Sequence, residues 1–374
     1  MRRLLFTLPP CAVFLIFLVT PCWADLTAGI EAYERQEYQA ALKEFRPLAD
    51  QDDSSAQFML GTMYAHGEGL SQDYAEAARW FRQAAAKGNL AAQFNVGVLY
   101  DEGLGVRQDY AEAARWFRQS ADQGYAPAQL NLALLYTQGQ GVPRDYAEAA
   151  RWFRRVAAQG DLVAQINLGQ LYTKGLGVPQ DYTQAARWFR RAAEQGNDRA
   201  QFNVGLMYAQ GHGVPKNYMK ARYWYQLAAD QGHESAQINL ALLYAKGLGV
   251  QQDYAEAARW FRQAAQKENA TAQAYLGLMY AKGHGVPQDY REARRWFRLA
   301  ADQGKATAQV NLGLLYVNGH GVPQDYVQAY FWFSRAGAQG HKDAMELRNA
   351  VASKMAPLQI AAAEKLADES KAEK

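Results

Sequence analysis

The residues whose type and spacing best suit binding chemistry are six asparagines that recur at multiples of 36 residues. An apolar residue follows most of them three positions later, and a polar residue follows seven positions later. Such rows on a helix would suit a groove for an extended peptide or a helix. The candidate binding residues are Asn95, Asn131, Asn167, Asn203, Asn239, Asn311, Leu134, Leu206, Leu242 and Leu278. A second interpretation fits equally well: the asparagines bind backbone within the fold and the leucines pack between copies.

Histidine is the other residue type with metal-binding potential. His212, His284 and His320 lie in the middle of a Gly-His-Gly segment, in a slot that holds leucine or glutamate in other copies. Neighbouring copies would lie about 10 Å apart, whereas zinc needs its ligand nitrogens at about 2 Å. We therefore expect a tolerant, exposed position and no metal site.

Catalytic motifs are missing from the sequence. It contains no Gly-x-Ser-x-Gly elbow, no His-Glu-x-x-His, no phosphate-binding loop and no dinucleotide fingerprint. General acid–base catalysis would need a carboxylate pair or a histidine that breaks the repeat. The sequence therefore favours a protein without enzymatic activity, cofactor or metal.

The elements that position these residues are predicted from one recurring segment, residues 109–124, here called helix B. Asp109 is a favourable N-cap and Glu112 completes a capping-box pattern. Apolar residues follow at helical spacing, and Gly124 can end the helix with positive φ. Its tyrosine recurs every 36 residues. The copies are Tyr74, Tyr110, Tyr146, Tyr182, Tyr218, Tyr254, Tyr290 and Tyr326.

A second predicted helix, helix A, lies between successive copies of helix B; residues 90–100 are an example. It ends at a Gly-x-Gly pair such as Gly103 and Gly105, and Val-Pro follows in many copies. Glycine also recurs in the middle of helix A, where it costs roughly 1 kcal/mol relative to alanine. This predicts that a backbone or an aromatic ring passes close, and we expect Trp116 and Phe117 to pack between helices. The glycines are Gly97, Gly169, Gly205, Gly277 and Gly313.

The whole pattern resembles the Sel-one-like repeat (SLR), a relative of the tetratricopeptide repeat. Its signature reads Ala-x-Ala-Gln-x-Asn-Leu-Gly-x-Leu-Tyr-x-x-Gly-x-Gly-Val-Pro-x-Asp-Tyr-x-x-Ala-x-x-Trp-Phe-x-x-Ala-Ala-x-Gln-Gly, and it covers residues 53–340 as eight tandem copies. The resemblance implies an all-α, right-handed α-α superhelix, or solenoid, with helix A on a concave face that binds proteins. It also implies a bacterial role in envelope assembly or host contact.

The N-terminus, residues 1–24, has the features of a signal peptide. Arg2 and Arg3 precede an apolar run over residues 11–20, and Ala24 is a suitable cleavage position. We therefore expect an exported protein, periplasmic or secreted. An uncleaved anchor and a lipid attached to Cys22 are the alternatives. Cleavage would remove both cysteines and leave a chain without thiols.

The segments that flank the repeats are predicted to be caps. Residues 25–52 read as a shortened helix pair without the glycine turn. Residues 341–374 read as capping helices followed by a charged tail.

Charge excludes one class of partner. The net charge is +3, and without Arg2 and Arg3 the chain has 38 basic and 37 acidic residues, so we expect no nucleic-acid surface. The expected function is a non-catalytic scaffold or adaptor that binds extended or helical protein segments. We expect a monomer with no integral membrane span after cleavage. The alternatives are a peptidoglycan- or polysaccharide-binding module, for which exposed aromatics would be the signal, and a cell-wall hydrolase. Tyr275 and Tyr330, taken as the exposed aromatics, are too few to argue for the first. Repeat five departs from the pattern at residues 217–225, and drift is the preferred interpretation.

Overall fold

The computed structural model describes residues 21–372, with side chains described for residues 26–367. This part of the chain forms helices and no strand, which confirms the all-α fold class. None of the described helices combines the length and apolar character required to cross a lipid bilayer. The signal peptide predicted over residues 1–24 lies outside the described residues, apart from the backbone of its last four.

Eight pairs of helices correspond to the predicted repeats, and each of these sixteen helices is 13 residues long. The A-type helices are α3 (Ser54–His66), α5 (Leu90–Glu102), α7 (Ala126–Gln138), α9 (Leu162–Lys174), α11 (Asp198–Gln210), α13 (Glu234–Lys246), α15 (Ala270–Lys282) and α17 (Ala306–Asn318). The B-type helices are α4 (Tyr74–Ala86), α6 (Tyr110–Asp122), α8 (Tyr146–Ala158), α10 (Tyr182–Glu194), α12 (Tyr218–Asp230), α14 (Tyr254–Gln266), α16 (Tyr290–Asp302) and α18 (Tyr326–Ala338).

Four further helices flank the pairs. The first two are α1 (Pro21–Glu34) and α2 (Tyr38–Asp50), which pack on each other, and α2 packs on α3. The last two are α19 (Lys342–Ala352) and α20 (Pro357–Ala372), which both pack against α18. The chain divides into two compact units, Met1–Trp188 and Phe189–Lys374.

The N-terminus of helix B is capped as predicted, but its capping box is not formed. The carboxylate of Asp109 accepts hydrogen bonds from the N–H groups of Ala111 and Glu112, at 2.9 and 3.1 Å. The N–H of Asp109 donates instead to the carbonyl of Tyr100 in the preceding helix A, at 2.9 Å. Glu112 is therefore left to pair with Arg115 at 2.6 Å. The prediction of a reciprocal box was wrong, because the turn between the two helices already satisfies that N–H.

The mid-helix glycines of helix A lie against the rings of helix B. A Cβ on Gly97 would lie 2.6 Å from the ring of Phe117, and one on Gly277 would lie 2.7 Å from Phe297. This confirms the predicted close approach of an aromatic ring. Phe117 is fully buried, whereas Trp116 is half-buried and packs at the edge of the core. The cost of glycine in a helix therefore permits close contact between the paired helices.

The core of each unit is made of rings and alanines at the helix interfaces. In the first unit the largest buried rings are Phe45, Phe81, Phe117, Trp152 and Phe153. In the second unit they are Tyr225, Trp260, Phe261, Phe297, Trp332 and Phe333.

The two glycines of the Gly-x-Gly turn have different structural functions. Gly103 ends α5 in the left-handed conformation, with φ 72°. Gly105 has φ 64°, and a Cβ there would run into the backbone carbonyl group of Tyr74, the first residue of α4. The same contact recurs in both units, for example between Gly285 and Tyr254. The second glycine therefore lets these turns touch the backbone of the preceding repeat.

A row of buried glutamines, whose role the sequence analysis missed, joins each helix A to the helix before it. The Nε2 of Gln93 donates to the carbonyl of Ala85 in α4 at 3.2 Å, and its Oε1 accepts from Gln123 at 3.0 Å. The other seven copies bond in the same way to a carbonyl eight residues earlier. These amides satisfy carbonyls at the C-terminal ends of the preceding helices. The glutamines are Gln57, Gln93, Gln129, Gln165, Gln201, Gln237, Gln273 and Gln309.

The contact at Gly105 gives a first prediction. In Gly105→Ala, the left-handed backbone costs about 1–2 kcal/mol, and the clash with Tyr74 adds about 1–3 kcal/mol. Gly124→Ala is the matched control, because Gly124 has φ 97° and no atom lies within 4 Å of a Cβ there. Urea unfolding followed by circular dichroism should show the larger loss of stability for Gly105→Ala. Equal losses would mean that the inter-repeat contact contributes nothing.

The glutamine row gives a second prediction. We expect Gln93→Ala to lower the free energy of unfolding by about 2 kcal/mol, because it removes two hydrogen bonds in a buried site. Gln119→Ala, on the exposed face of α6, should change stability by less than about 0.5 kcal/mol. Thermal unfolding of the two variants measures the difference, and a Gln93→Ala protein as stable as the control would contradict the assigned role.

Candidate functional site

The predicted binding residues lie on the A-type helices, beside the residues that form the core. In the first unit, Asn131 and Leu134 on α7 and Asn167 on α9 are half-buried. In the second unit, the asparagines of α11, α13 and α17 and the leucines of α11, α13 and α15 are also half-buried. These are Asn203, Asn239, Asn311, Leu206, Leu242 and Leu278. We call the first set asparagine row 1 (Asn131, Asn167) and the second asparagine row 2 (Asn203, Asn239, Asn311).

Hydrogen bonding divides these asparagines into two groups. The Nδ2 atoms of Asn167 and Asn311 donate to the carbonyls of Val163 and Thr307, four residues earlier in the same helix, each at 2.8 Å. These two therefore bond to backbone, as the second interpretation of the sequence expects. The remaining members of the rows, Asn131, Asn203 and Asn239, have no hydrogen-bond partner among the described residues, so their amides are available.

Asn95 differs from the other five asparagines. It is only 1% exposed, and both polar atoms of its side chain lack a hydrogen-bond partner among the described residues. Met59 occupies the equivalent position in α3 and is also buried. Asn95 is therefore not part of the accessible surface of asparagine row 1 in this structure.

Tyr275 and Tyr330, the two aromatic residues singled out in the sequence, differ in exposure. Tyr275 takes the asparagine position of α15, is 36% exposed, and stacks on Phe261 with ring centroids 4.8 Å apart. It therefore adds an accessible ring between Asn239 and Asn311 in sequence. Tyr330 is buried, and its hydroxyl donates to Glu364 in α20 at 3.4 Å. The expectation that Tyr330 is exposed was wrong, because the C-terminal helices pack over α18.

The turn histidines stack on tyrosine rings of the preceding helix B. His284 lies over Tyr254 with centroids 4.5 Å apart, and His320 lies over Tyr290 at 4.3 Å. Within the described residues, no three His, Cys, Asp or Glu side chains come together in an arrangement able to hold a metal ion. The stacking gives these rings a packing role at the turn.

The pKa values that differ from their usual range do so because of burial and of contacts within and between helices. Arg259 holds the pKa of Glu256 below its usual range through a hydrogen bond, one turn along α14. Burial and the nearby Glu68 raise the pKa of Tyr33 well above the usual tyrosine value. The pKa shift of Glu256 arises from a partner one turn away and that of Tyr33 mainly from burial, and neither group lies in the asparagine rows.

Comparison with known proteins identifies the repeat. The family model for the Sel1 repeat matches eight successive segments, residues 54–89, 90–125, 126–161, 162–197, 198–233, 234–269, 270–305 and 306–341. The chain belongs to the Sel1 repeat family. Sel1 repeats are generally protein-interaction modules, typically non-catalytic scaffolds. Each matched segment begins with the first residue of an A-type helix, one position later than the sequence analysis places it.

Solved Sel1 repeat structures resemble the chain over most of its length. A Sel1 repeat protein from Oxalobacter formigenes is 34% identical with a TM-score of 0.67, and the match covers 93% of this chain and 98% of that one. The protein c5321, a protective antigen of uropathogenic Escherichia coli strains with an SLR fold, is 33% identical with a TM-score of 0.54, over 93% and 91% of the two chains. No curated protein matches the chain.

Proposed function

We propose that this Sel1 repeat protein is an exported, non-catalytic scaffold that binds extended segments of other proteins through the unpartnered amides of asparagine rows 1 and 2. The observation that carries the proposal is the set of accessible, unpartnered amides at Asn131, Asn203 and Asn239. An amide side chain offers both a donor and an acceptor. A peptide backbone offers the complementary pair at every residue, so these side chains suit a ligand recognised by its backbone.

The spacing of the repeats suits an extended ligand. Helices pack about 10 Å apart, which corresponds to about three residues of extended chain at roughly 3.3 Å each. In the second unit, Asn203 and Asn239 would then meet the ligand backbone at intervals of about three residues. The half-buried Leu206 and Leu242, one turn away on the same helices, would receive apolar side chains of the ligand.

Export is supported by the sequence of residues 1–24, with its basic start, apolar run and small residue at position 24. The chain after Ala24 has no cysteine. Its stability therefore depends on burial between helices, and an oxidising compartment could form no mispaired disulfide in it. We propose a periplasmic or secreted monomer.

Export gives a third prediction. In a Gram-negative host that expresses the full chain, the protein in the periplasm or the medium should begin at Asp25. Intact-mass spectrometry and N-terminal sequencing measure this, and Ala24→Phe should leave an unprocessed chain, because signal peptidase needs a small residue there. Recovery of the uncut wild-type chain in the membrane fraction would favour the anchor instead.

Partner binding gives a fourth prediction. A peptide ligand is first identified by photo-crosslinking of the purified full chain to periplasmic proteins, and its affinity is then measured by fluorescence polarisation. The double variant Asn203→Ala with Asn239→Ala should weaken binding about thirtyfold, because it removes two hydrogen bonds worth about 1 kcal/mol each.

The matched control is Asn311→Ala, because that amide already bonds to Thr307 in its own helix. It should change the affinity little. Equal affinity of the wild type and the double variant for every captured peptide would remove asparagine row 2 as the binding surface.

A further inference from the structure

The outer surface of α12, in repeat five, lacks an ion pair that five other B-type helices share. In those helices a glutamate and an arginine three residues later lie between 2.5 and 3.4 Å apart. In α12 the two positions are Lys220 and Tyr223. The pairs are Glu76–Arg79, Glu112–Arg115, Glu148–Arg151, Glu256–Arg259 and Glu292–Arg295.

Two large apolar side chains are exposed on this face of α12. Met219 is 64% exposed and Tyr223 is 55% exposed, and they lie one turn apart. Four of the five helices with the ion pair have alanine at the position of Met219. Tyr223 meets its neighbour Trp224 edge-on at 5.3 Å, so this ring is supported from one side and open on the other. We call Met219, Lys220 and Tyr223, with Lys216 before them, the α12 face.

The α12 face is positively charged and has no acidic partner. Lys216 and Lys220 lie over the rings of Tyr218 and Tyr208, at 4.9 and 5.4 Å, and neither forms an ion pair among the described residues. Arg222, also on α12, has no ion pair there either. The acid on the same helix, Asp230, is at the other end and accepts from Gln226.

These cations lie at the end of the helix that disfavours them. The N-terminus of a helix carries partial positive charge, so Lys220 in the first turn is unfavourable by a few tenths to 1 kcal/mol. The cap is also reduced, because Asn217 accepts from the N–H of Lys220 alone, whereas Asp109 accepts from two. A bound carboxylate would offset both deficits.

We propose that the α12 face docks an acidic protein segment that carries an apolar anchor. The carboxylates would lie against Lys216, Lys220 and the helix N-terminus, and the anchor would pack between Met219 and Tyr223. A membrane surface fits less well, because insertion needs a broad apolar helix face and this one offers two side chains. The proposal concerns a B-type helix and does not depend on the asparagine rows.

The test restores the residues of the other repeats. The variant Met219→Ala, Lys220→Glu, Tyr223→Arg gives α12 the side chains that α4, α6, α8 and α14 carry at these positions, so it should fold. Its control, Lys282→Gln, alters an exposed lysine of α15 and changes the net charge by the same −1. Circular dichroism and thermal unfolding check that both full-length proteins are folded.

The probes are fluorescein-labelled glutamate-rich peptides that carry a single Phe, Leu or Trp at varied positions, and vesicles of phosphatidylcholine with phosphatidylglycerol. The wild type and Lys282→Gln should bind at least one peptide, with affinity that falls as salt rises. The triple variant should bind it about tenfold more weakly or worse. Asn203→Ala with Asn239→Ala should bind as the wild type does, which separates this surface from asparagine row 2. Equal binding by the triple variant, binding of no peptide, or binding to vesicles alone would overturn the proposal.

Discussion

Backbone contact between adjacent repeats is the constraint on which the rest of this structure depends. Gly105 lies against the peptide group of Tyr74, and the same pair of positions meets repeatedly within each unit. Such an approach has no room for a side chain, so the distance and the direction from one repeat to the next are set by backbone and not by flexible groups. The glutamine row acts at the other end of the same helices, where Gln93 bonds to Ala85. Two fixed points, one at each end of helix B, leave a neighbouring repeat little freedom to tilt.

The rows of the candidate site follow from this regularity. When each step is the same, a residue type that recurs at one position of helix A becomes a line of equivalent groups within a unit. The line then has the period of the fold, about 10 Å, which a flexible ligand can match only by extending. Rigid spacing therefore favours ligands recognised at regular intervals along a chain, and it lowers the cost of binding because the protein groups are already in place.

Much of this architecture could be predicted from the sequence, because helix caps, turn glycines and apolar spacing are local signals. Asp109, Gly103 and Gly124 behave as their types and positions predict, and the mid-helix glycines do face rings.

The sequence predicted contacts poorly where an atom had two competing partners. Glu112 could close a capping box only if the N–H of Asp109 were free, and the carbonyl of Tyr100 binds it instead. Likewise, whether an asparagine bonds to its own helix differs between Asn167 and Asn239, although their positions in the repeat are equivalent. Exposure of Tyr330 depended on helices that lie beyond the repeats. The role of the glutamine row could have been inferred, since Ala-Gln occurs at this position in every copy and a polar residue repeated in an apolar stretch needs a buried partner.

A perfectly regular array would bind any extended chain equally well, so selectivity has to come from the copies that differ. Tyr275 puts an exposed ring where the other A-type helices of the second unit have an asparagine amide, so a ligand would meet a stacking surface there and not an amide. On the α12 face, the glutamate–arginine ion pair of five other B-type helices is absent. Lysines unpaired within the described residues and two exposed apolar side chains, Met219 and Tyr223, take its place. Both changes sit at positions where the other repeats show which residues the fold accepts. Folding therefore does not require these departures. Alanine, glutamate and arginine at positions 219, 220 and 223 would be at least as compatible with the helix. The same reasoning separates the geometry of the stack, which every copy supplies, from selectivity for one ligand over another, which only the irregular copies could add.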